Sequence, residues 1–277
     1  MKRVLFPTDF SEAANIAFTY ALKFADTLNA ELTILHVYNL PIVETPVLPE
    51  STKEIFDIVA ANQSESFERE LKKLEQLAAK RKLDHIKLHD ILLHGDLIYN
   101  INKVCHEKDI DLIVMGTTGA SGIKETFLGS NTATVISNAK VPVLGIPTAA
   151  EFHHQIKNVV FTTQYKDEDN LALQRLLDIT NKIGSSVYCL HIKNDNDPDD
   201  IDEKINEWKM RYNNEKVSFF SITGNNTEET ILDFVENQHI DMLAMLKHKR
   251  SFFENLFHRS LTKKMAYHSK VPIMVFH

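Results

Sequence analysis

The sequence predicts an α/β chain built from two tandem copies of one five-stranded, parallel-sheet domain. Two observations predict it. Short apolar runs suited to buried strands alternate with stretches of helical period, and the second part of the chain repeats the first in register. A third observation, a cluster of glycines after the fourth strand, marks where the two copies part company.

The repeat reads directly. K-R-V-L-F-P-T-D-F (2–10) stands above K-N-V-V-F-T-T-Q-Y (157–165), an offset of 155 that continues through the next strand and aligns His36 with His191. D-I-D-L-I-V-M (109–115) then faces Q-H-I-D-M-L-A-M (238–245) at an offset of 130, aligning Asp111 with Asp241, and V-P-V-L (141–144) faces V-P-I-M (271–274). The drop in offset assigns 25 extra residues to the first copy, between its second and third strands, within 39–85. The division falls at the polar stretch Glu151 to Gln155, giving domains 1–150 and 151–277.

In the first copy, Val4 to Phe6 is the first strand. Ser11 is placed to cap a helix whose apolar face runs Ala14, Ala17, Phe18, Ala21, Phe24, Ala25 and Leu28. Leu32 to Val37 is the second strand. Ile55, Ile58, Val59, Phe67, Leu71, Leu74 and Leu77 mark a long amphipathic region, broken or offset near Asn62. Ile86 to Leu93 is the third strand, Leu97 to Val104 a helix, Leu112 to Met115 the fourth strand and Val141 to Ile146 the fifth. Alternation of this kind gives a parallel sheet with helices on both faces.

A length of 277 residues with 43% hydrophobic and 25% charged residues suits two ordinary globular domains. The formal net charge of −7 argues against broad nucleic-acid or acidic-membrane binding. Pro7 and Asp9 interrupt the first apolar run, so no signal peptide is expected, nor is any stretch long enough for a membrane span. Cys105 and Cys189 have no metal or redox spacing, which fits small buried residues in a reducing, cytoplasmic setting.

Only eight glycines occur, and Gly116, Gly119, Gly122 and Gly129 fall in one segment directly after the fourth strand. Glycine suits a backbone that must approach a ligand closely. A glycine-rich turn between a parallel strand and a helix aims backbone N–H groups at an anion. Ser130, Asn131 and Thr132 open the following helix and add donors. Pro7, Thr8 and Asp9 follow the first strand and Val37 ends the second, so all lie at the strand ends where doubly wound sheets bind ligands. Asp9 could accept from ribose hydroxyls or an adenine amino group, or hold a metal on phosphates. The more ordinary role for it is a helix-start carboxylate. Neither a P-loop nor G-x-G-x-x-G after the first strand is present.

Gly116-x2-Gly119-x9-Gly129-Ser130, with the opening V-L-F-P-T-D-F-S and the closing V-P-V-L, resembles the ATP-binding universal stress proteins. The resemblance covers the first copy almost end to end and the second in strands and order only. It implies two adenine-nucleotide alpha-hydrolase-like domains of strand order 3-2-1-4-5, with ATP, accompanied by Mg²⁺, at the strand ends. Asp9 and Val37 match adenosine contacts. Gly116, Gly119, Gly129 and Ser130 match the loop that wraps ribose and phosphates, and Met115 matches the residue before it. Family members pair through the fifth strand, which implies an intrachain pseudo-dimer here; a further homodimer stays open.

The second copy departs from that pattern. Leu246, Lys249 and Arg259 stand at the glycine positions, Gln164 faces Asp9 and Thr162 faces Pro7, leaving Ser260 and Thr262 from the phosphate end. Three side chains where backbone must meet ligand imply that this copy does not bind ATP in the family mode. The expected function is a regulatory stress-response module with ATP in the first domain only and an unidentified protein partner. No catalytic residue is assigned, and hydrolysis, if any, is slow. An adenylate-handling enzyme would need an S-G-G-x-D-S turn or H-I-G-H pair, absent between Pro7 and Ser11; a pure scaffold would need an empty loop in both copies.

Other clusters read as ordinary. His36 and His191 are inherited strand-end histidines; His85, His89 and His94 have poor geometry for one metal. Lys247, His248, Lys249, Arg250, His258, Arg259, Lys263 and Lys264 form a basic cluster that suits a solvated face, with anion binding the sharper alternative. Asp195 to Asp202 lacks the glycine and glutamate of a calcium loop and reads as a flexible acidic loop.

Overall fold

The computed structural model describes residues 1–41, 49–117, 129–150, 155–193, 197–247 and 271–277. Its first half runs β1 (Arg3–Pro7), α1 (Glu12–Leu28), β2 (Glu31–Tyr38), α2 (Pro49–Lys80), β3 (Leu88–His94), α3 (Leu97–Glu107), β4 (Leu112–Gly116), α4 (Ser130–Asn138) and β5 (Val143–Ile146). The second runs β6 (Asn158–Thr162), α5 (Asp167–Ile183), β7 (Ser186–Lys193), α6 (Ile201–Arg211), β8 (Val217–Thr223), α7 (Thr227–Asn237), β9 (Met242–Leu246) and β10 (Ile273–Phe276).

All ten strands join one sheet in the order β3-β2-β1-β4-β5-β10-β9-β6-β7-β8. Each half therefore carries the 3-2-1-4-5 order. Neighbours are parallel except at the seam, where β5 and β10 pair antiparallel with Ile273 opposite Gly145 and Val275 opposite Val143. That edge is satisfied within the chain, as the family resemblance implies.

Parallel strands buried on both faces explain the continuous apolar runs. Val4 and Phe6 point to one face and Leu5 to the other, following the two-residue side-chain period. On the first face α1, the C-terminal part of α2, α5 and α6 pack into one core; on the second, α3, α4 and α7 form another. Both cores cross the seam. Burial, and then the Asp241 carboxylate, push the Tyr20 phenol on α1 up to about 12.

The repeat extends to single hydrogen bonds. Asp111 accepts from the amides of Lys2 (2.6 Å) and Arg3 (3.1 Å), and Asp241 from those of Lys157 and Asn158 (2.8 Å each). Each carboxylate satisfies amides at the entrance to its half's first strand. The turn after that strand also repeats: Phe10 and Tyr165 take φ of 61° and 57°, and their amides donate to Thr8 Oγ1 and Thr163 Oγ1 at 2.9 Å.

α2 is a single helix of 32 residues, against 11 in its counterpart α6, so the shift near Asn62 is an offset and not a break. Phe67, Leu74 and Ala78 are buried, whereas Ile55 and Ile58 are 37% and 60% exposed. The phase shift marks where the helix leaves the core, because helical hydrogen bonding does not require a buried face. β3 also starts later than expected, at Leu88, with Ile86 in the preceding turn.

Candidate functional site

A cleft of about 600 Å³ opens at the C-terminal ends of β1, β2 and β4. Pro7, Thr8, Asp9, Val37, Met115, Gly116, Gly129, Ser130, Asn131 and Thr132 all line it. Residues from four separate stretches of sequence thus converge as their motifs suggest. Gly119 and Gly122 lie outside the described residues, as do the basic-cluster members beyond Lys247 and the positions of Ser260 and Thr262.

One wall is the turn after β1. Ser11 caps α1 by accepting from the Ala14 amide at 3.2 Å, and Asp9 Oδ1 accepts from the Ser11 amide at 3.0 Å. Asp9 therefore has the helix-start bond of the ordinary reading, while its exposed side chain also lies on the cleft. Ala14, on the first turn of α1, adds a small apolar patch.

The opposite wall is the start of α4. Gly129 is its N-cap, with φ −65° and ψ 154° and no side-chain cap. The first intrahelical bond is Ala133 N–H to the Gly129 carbonyl, 2.9 Å. The amides of Ser130, Asn131 and Thr132 precede it and have no intrahelical acceptor by helix geometry. The positive end of the helix dipole lies there as well. Two ties hold this end over β4: Gly129 N–H donates to the Thr117 carbonyl (2.5 Å), and Thr132 Oγ1 donates to the Gly116 carbonyl (2.7 Å). The arrangement can receive an anion at the bare helix start and a flat apolar group near Val37 and Met115.

Sequence reasoning missed a third wall: His36, Asn39, Gly95, Asp96 and Leu97. His36 Nδ1 donates to the Thr8 carbonyl at 2.8 Å, and the ring packs between Phe10 (centroids 5.0 Å apart) and Phe67 (6.2 Å). Its packed, strand-end position agrees with the ordinary reading, but it also borders the cleft. Gly95 takes φ 105°, where a side chain would be strained, and Asp96 caps α3 by accepting from the Tyr99 amide at 2.7 Å. A glycine isolated in a glycine-poor chain, followed by a capping residue, was the available signal.

Elsewhere His85 pairs with Asp26 (2.8 Å) and His89 with Glu31 (3.0 Å). Hydrogen bonds from Lys87 and His89 hold the Glu31 carboxyl below its ordinary range. Among the described residues no group of three ligating side chains could hold a metal. No helix of the described residues is long and apolar enough to cross a membrane. Burial pushes the Cys105 thiol up to about 12 and Cys189 higher still, as for inert core residues. In the described part of the acidic stretch, Asp197 pairs with His191 (2.8 Å) and Asp202 with Lys193 (2.7 Å).

The α/β fold and this strand-end cleft define a class of small doubly wound modules with a ligand-sized cleft at the strand ends, and comparison with known proteins names the family. The model of the Universal stress protein family matches residues 1–147 and 203–277. The chain belongs to the universal stress protein family. A universal stress protein of Methanocaldococcus jannaschii is 33% identical over 157 residues, covering 52% of this chain and 93% of the relative. One from Synechocystis is 25% identical over 307 aligned positions, spanning both chains completely. The crystal structure of a universal stress protein from Archaeoglobus fulgidus superposes with a TM-score of 0.68 at 21% identity, covering 99% of this chain and 97% of that one, a likeness of fold.

Proposed function

We propose that the chain is a regulatory ATP-binding module of two domains, 1–150 and 151–277, that holds ATP in the first domain only. The observation that carries this reading is the strand-end cleft, where the uncapped start of α4 faces the turn bearing Asp9. Phosphates fit the amides of Ser130, Asn131 and Thr132, which supply donors and a favourable dipole without a cationic side chain. Val37 and Met115 suit an adenine face, and Asp9 suits ribose hydroxyls. Mg²⁺ would come with the phosphates and neutralise part of their charge. Hydrolysis is taken as absent or slow, and the function as one of ATP occupancy and a protein partner in the cytoplasm.

The second half supports the one-site part of the reading. Asp169 stands where the first half has Ala14. It is fully buried and accepts from the Gln164 amide (2.8 Å), the Lys166 amide (3.1 Å) and Thr163 Oγ1 (3.1 Å). The turn amides there are consumed by the protein's own carboxylate.

Calorimetric titration of nucleotide-stripped protein with ATP and Mg²⁺, beside Gly129→Lys, tests the proposal. The expected result is saturable binding that the variant abolishes while its melting temperature is kept, since φ −65° is open to any residue. Binding unchanged in Gly129→Lys would refute the assigned site, and a folded wild type that binds no ATP would leave a scaffold role.

A further inference from the structure

The far end of α4 is held by the other half of the chain. This helix has nine residues and no basic residue in its last turn. Its terminal carbonyls nevertheless find donors. Lys247 Nζ, at the end of β9, donates to the Ser137 carbonyl. His277 Nε2, just past β10, donates to the Ile136 carbonyl at 2.7 Å. Asn102 on α3 donates to the Asn138 carbonyl at 3.3 Å. Two of these three donors are separated from their acceptors by 110 and 141 residues, and both come from the half that has lost the glycine positions.

We infer that Lys247 and His277 are positioning residues for the first half's anion site, fixing the C-terminal end of α4 so that its N-terminal amides stay aimed into the cleft. A cation at a helix C-terminus complements the dipole that favours an anion at the other end. A nine-residue helix spans only about 13 Å by its rise per residue, so a tilt at one end displaces the amides at the other. Lys247 is suited to both tasks. It is half-buried, and its own amide donates to the Phe276 carbonyl at 3.0 Å, which fixes its stem to the seam. The first residue of the basic cluster thus has a structural partner rather than a solvated face. Burial holds His277 below its ordinary value, so its neutral ring serves as a donor without competing with the Lys247 charge. The second half then does more than complete the sheet: it sets the affinity of a site it does not itself line.

This inference rests on the nucleotide reading above, and its test separates the two. ATP and adenosine are titrated into wild type, Lys247→Met, Lys247→Gln and Lys247→Arg, and α4 amide hydrogen exchange is followed in each without ligand. Lys247→Met is expected to weaken ATP by about three- to tenfold, consistent with loss of a helix-end charge and its tether. Adenosine, which has no phosphates, should change less than about twofold. Lys247→Arg should restore ATP affinity, and α4 exchange should quicken in Lys247→Met but not in Lys247→Arg. Lys247→Gln keeps a donor without charge; it should fall between and serves in place of Lys247→Met if that variant does not fold. Equal loss of ATP and adenosine, unchanged ATP affinity, or unchanged α4 exchange in the charge-free variants would each overturn the inference. If wild type binds neither ligand, the nucleotide reading fails, and the exchange data alone decide whether α4 is held from the second half.

Discussion

Ala14 and Asp169 occupy equivalent positions one turn into the first helix of each half, and they do opposite things. Ala14 leaves room and borders a cleft. Asp169 fills the same place and gathers the turn's donors to itself. The next strand repeats the contrast. His36 and His191 both donate from Nδ1 to the threonine carbonyl 28 residues earlier, at 2.8 and 3.0 Å. His191 Nε2 then meets Asp197, and its ring is only 3% exposed, whereas His36 borders the cleft. The scaffold bonds are kept in both halves, including Asp111 and Asp241. What differs is the acceptor: in the first half the Ser11 amide is held by Asp9 on the cleft, and in the second the turn amides are held by a buried carboxylate.

The largest expected effect is from Ala14→Asp, which imports the second half's carboxylate into the first. ATP affinity should fall by at least about a hundredfold through occlusion and charge repulsion, with the fold retained by circular dichroism; unchanged affinity would separate Ala14 from the site. Next, Asp169→Ala should cost about 2–4 kcal/mol in urea unfolding, because it strands buried donors, while leaving ATP binding alone. Smaller and equal losses of about 1 kcal/mol are expected from Asp111→Ala and Asp241→Ala; unequal losses would show that the two frameworks have diverged in energy as well as in sequence. Ile58→Gln, on the exposed part of α2, should stay within about 0.5 kcal/mol of wild type.

A pH dependence sharpens the seam. His277 lies below its ordinary value of 6.5 in the folded chain, because burial and then the nearby Lys247 charge disfavour the cation, though its bond to Ile136 opposes this. The unfolded chain therefore takes up the proton first. The stabilising contribution is complete above 6.5 and is lost as the pH falls toward the folded value. Urea midpoints measured on either side of 6.5 should fall on the acid side, and less so in His277→Gln.

Much of the fold was legible because buried parallel strands leave unmistakable apolar runs and because a repeat checks itself. The two readings left open at Asn62 show the limit: hydrophobic phase reports what a helix face touches, not whether the helix continues. At the site, glycines, the Pro7–Asp9 turn and the start of α4 announced themselves by spacing. His36, Asn39 and the Gly95–Leu97 turn did not, since they lie at or just past the ends of β2 and β3 without a glycine cluster or motif that points to a ligand. Nor could sequence foretell that Lys247 or Asp197 would be consumed within the chain, because their partners are fixed only when the sheet closes.

On the proposed reading one half keeps an open nucleotide cleft and the other has filled its own. Native mass spectrometry of the intact chain with saturating ATP and Mg²⁺ counts the occupants directly. One nucleotide per chain, lost in Ala14→Asp and retained in Asp169→Ala, is the predicted result. Two nucleotides per wild-type chain would contradict it.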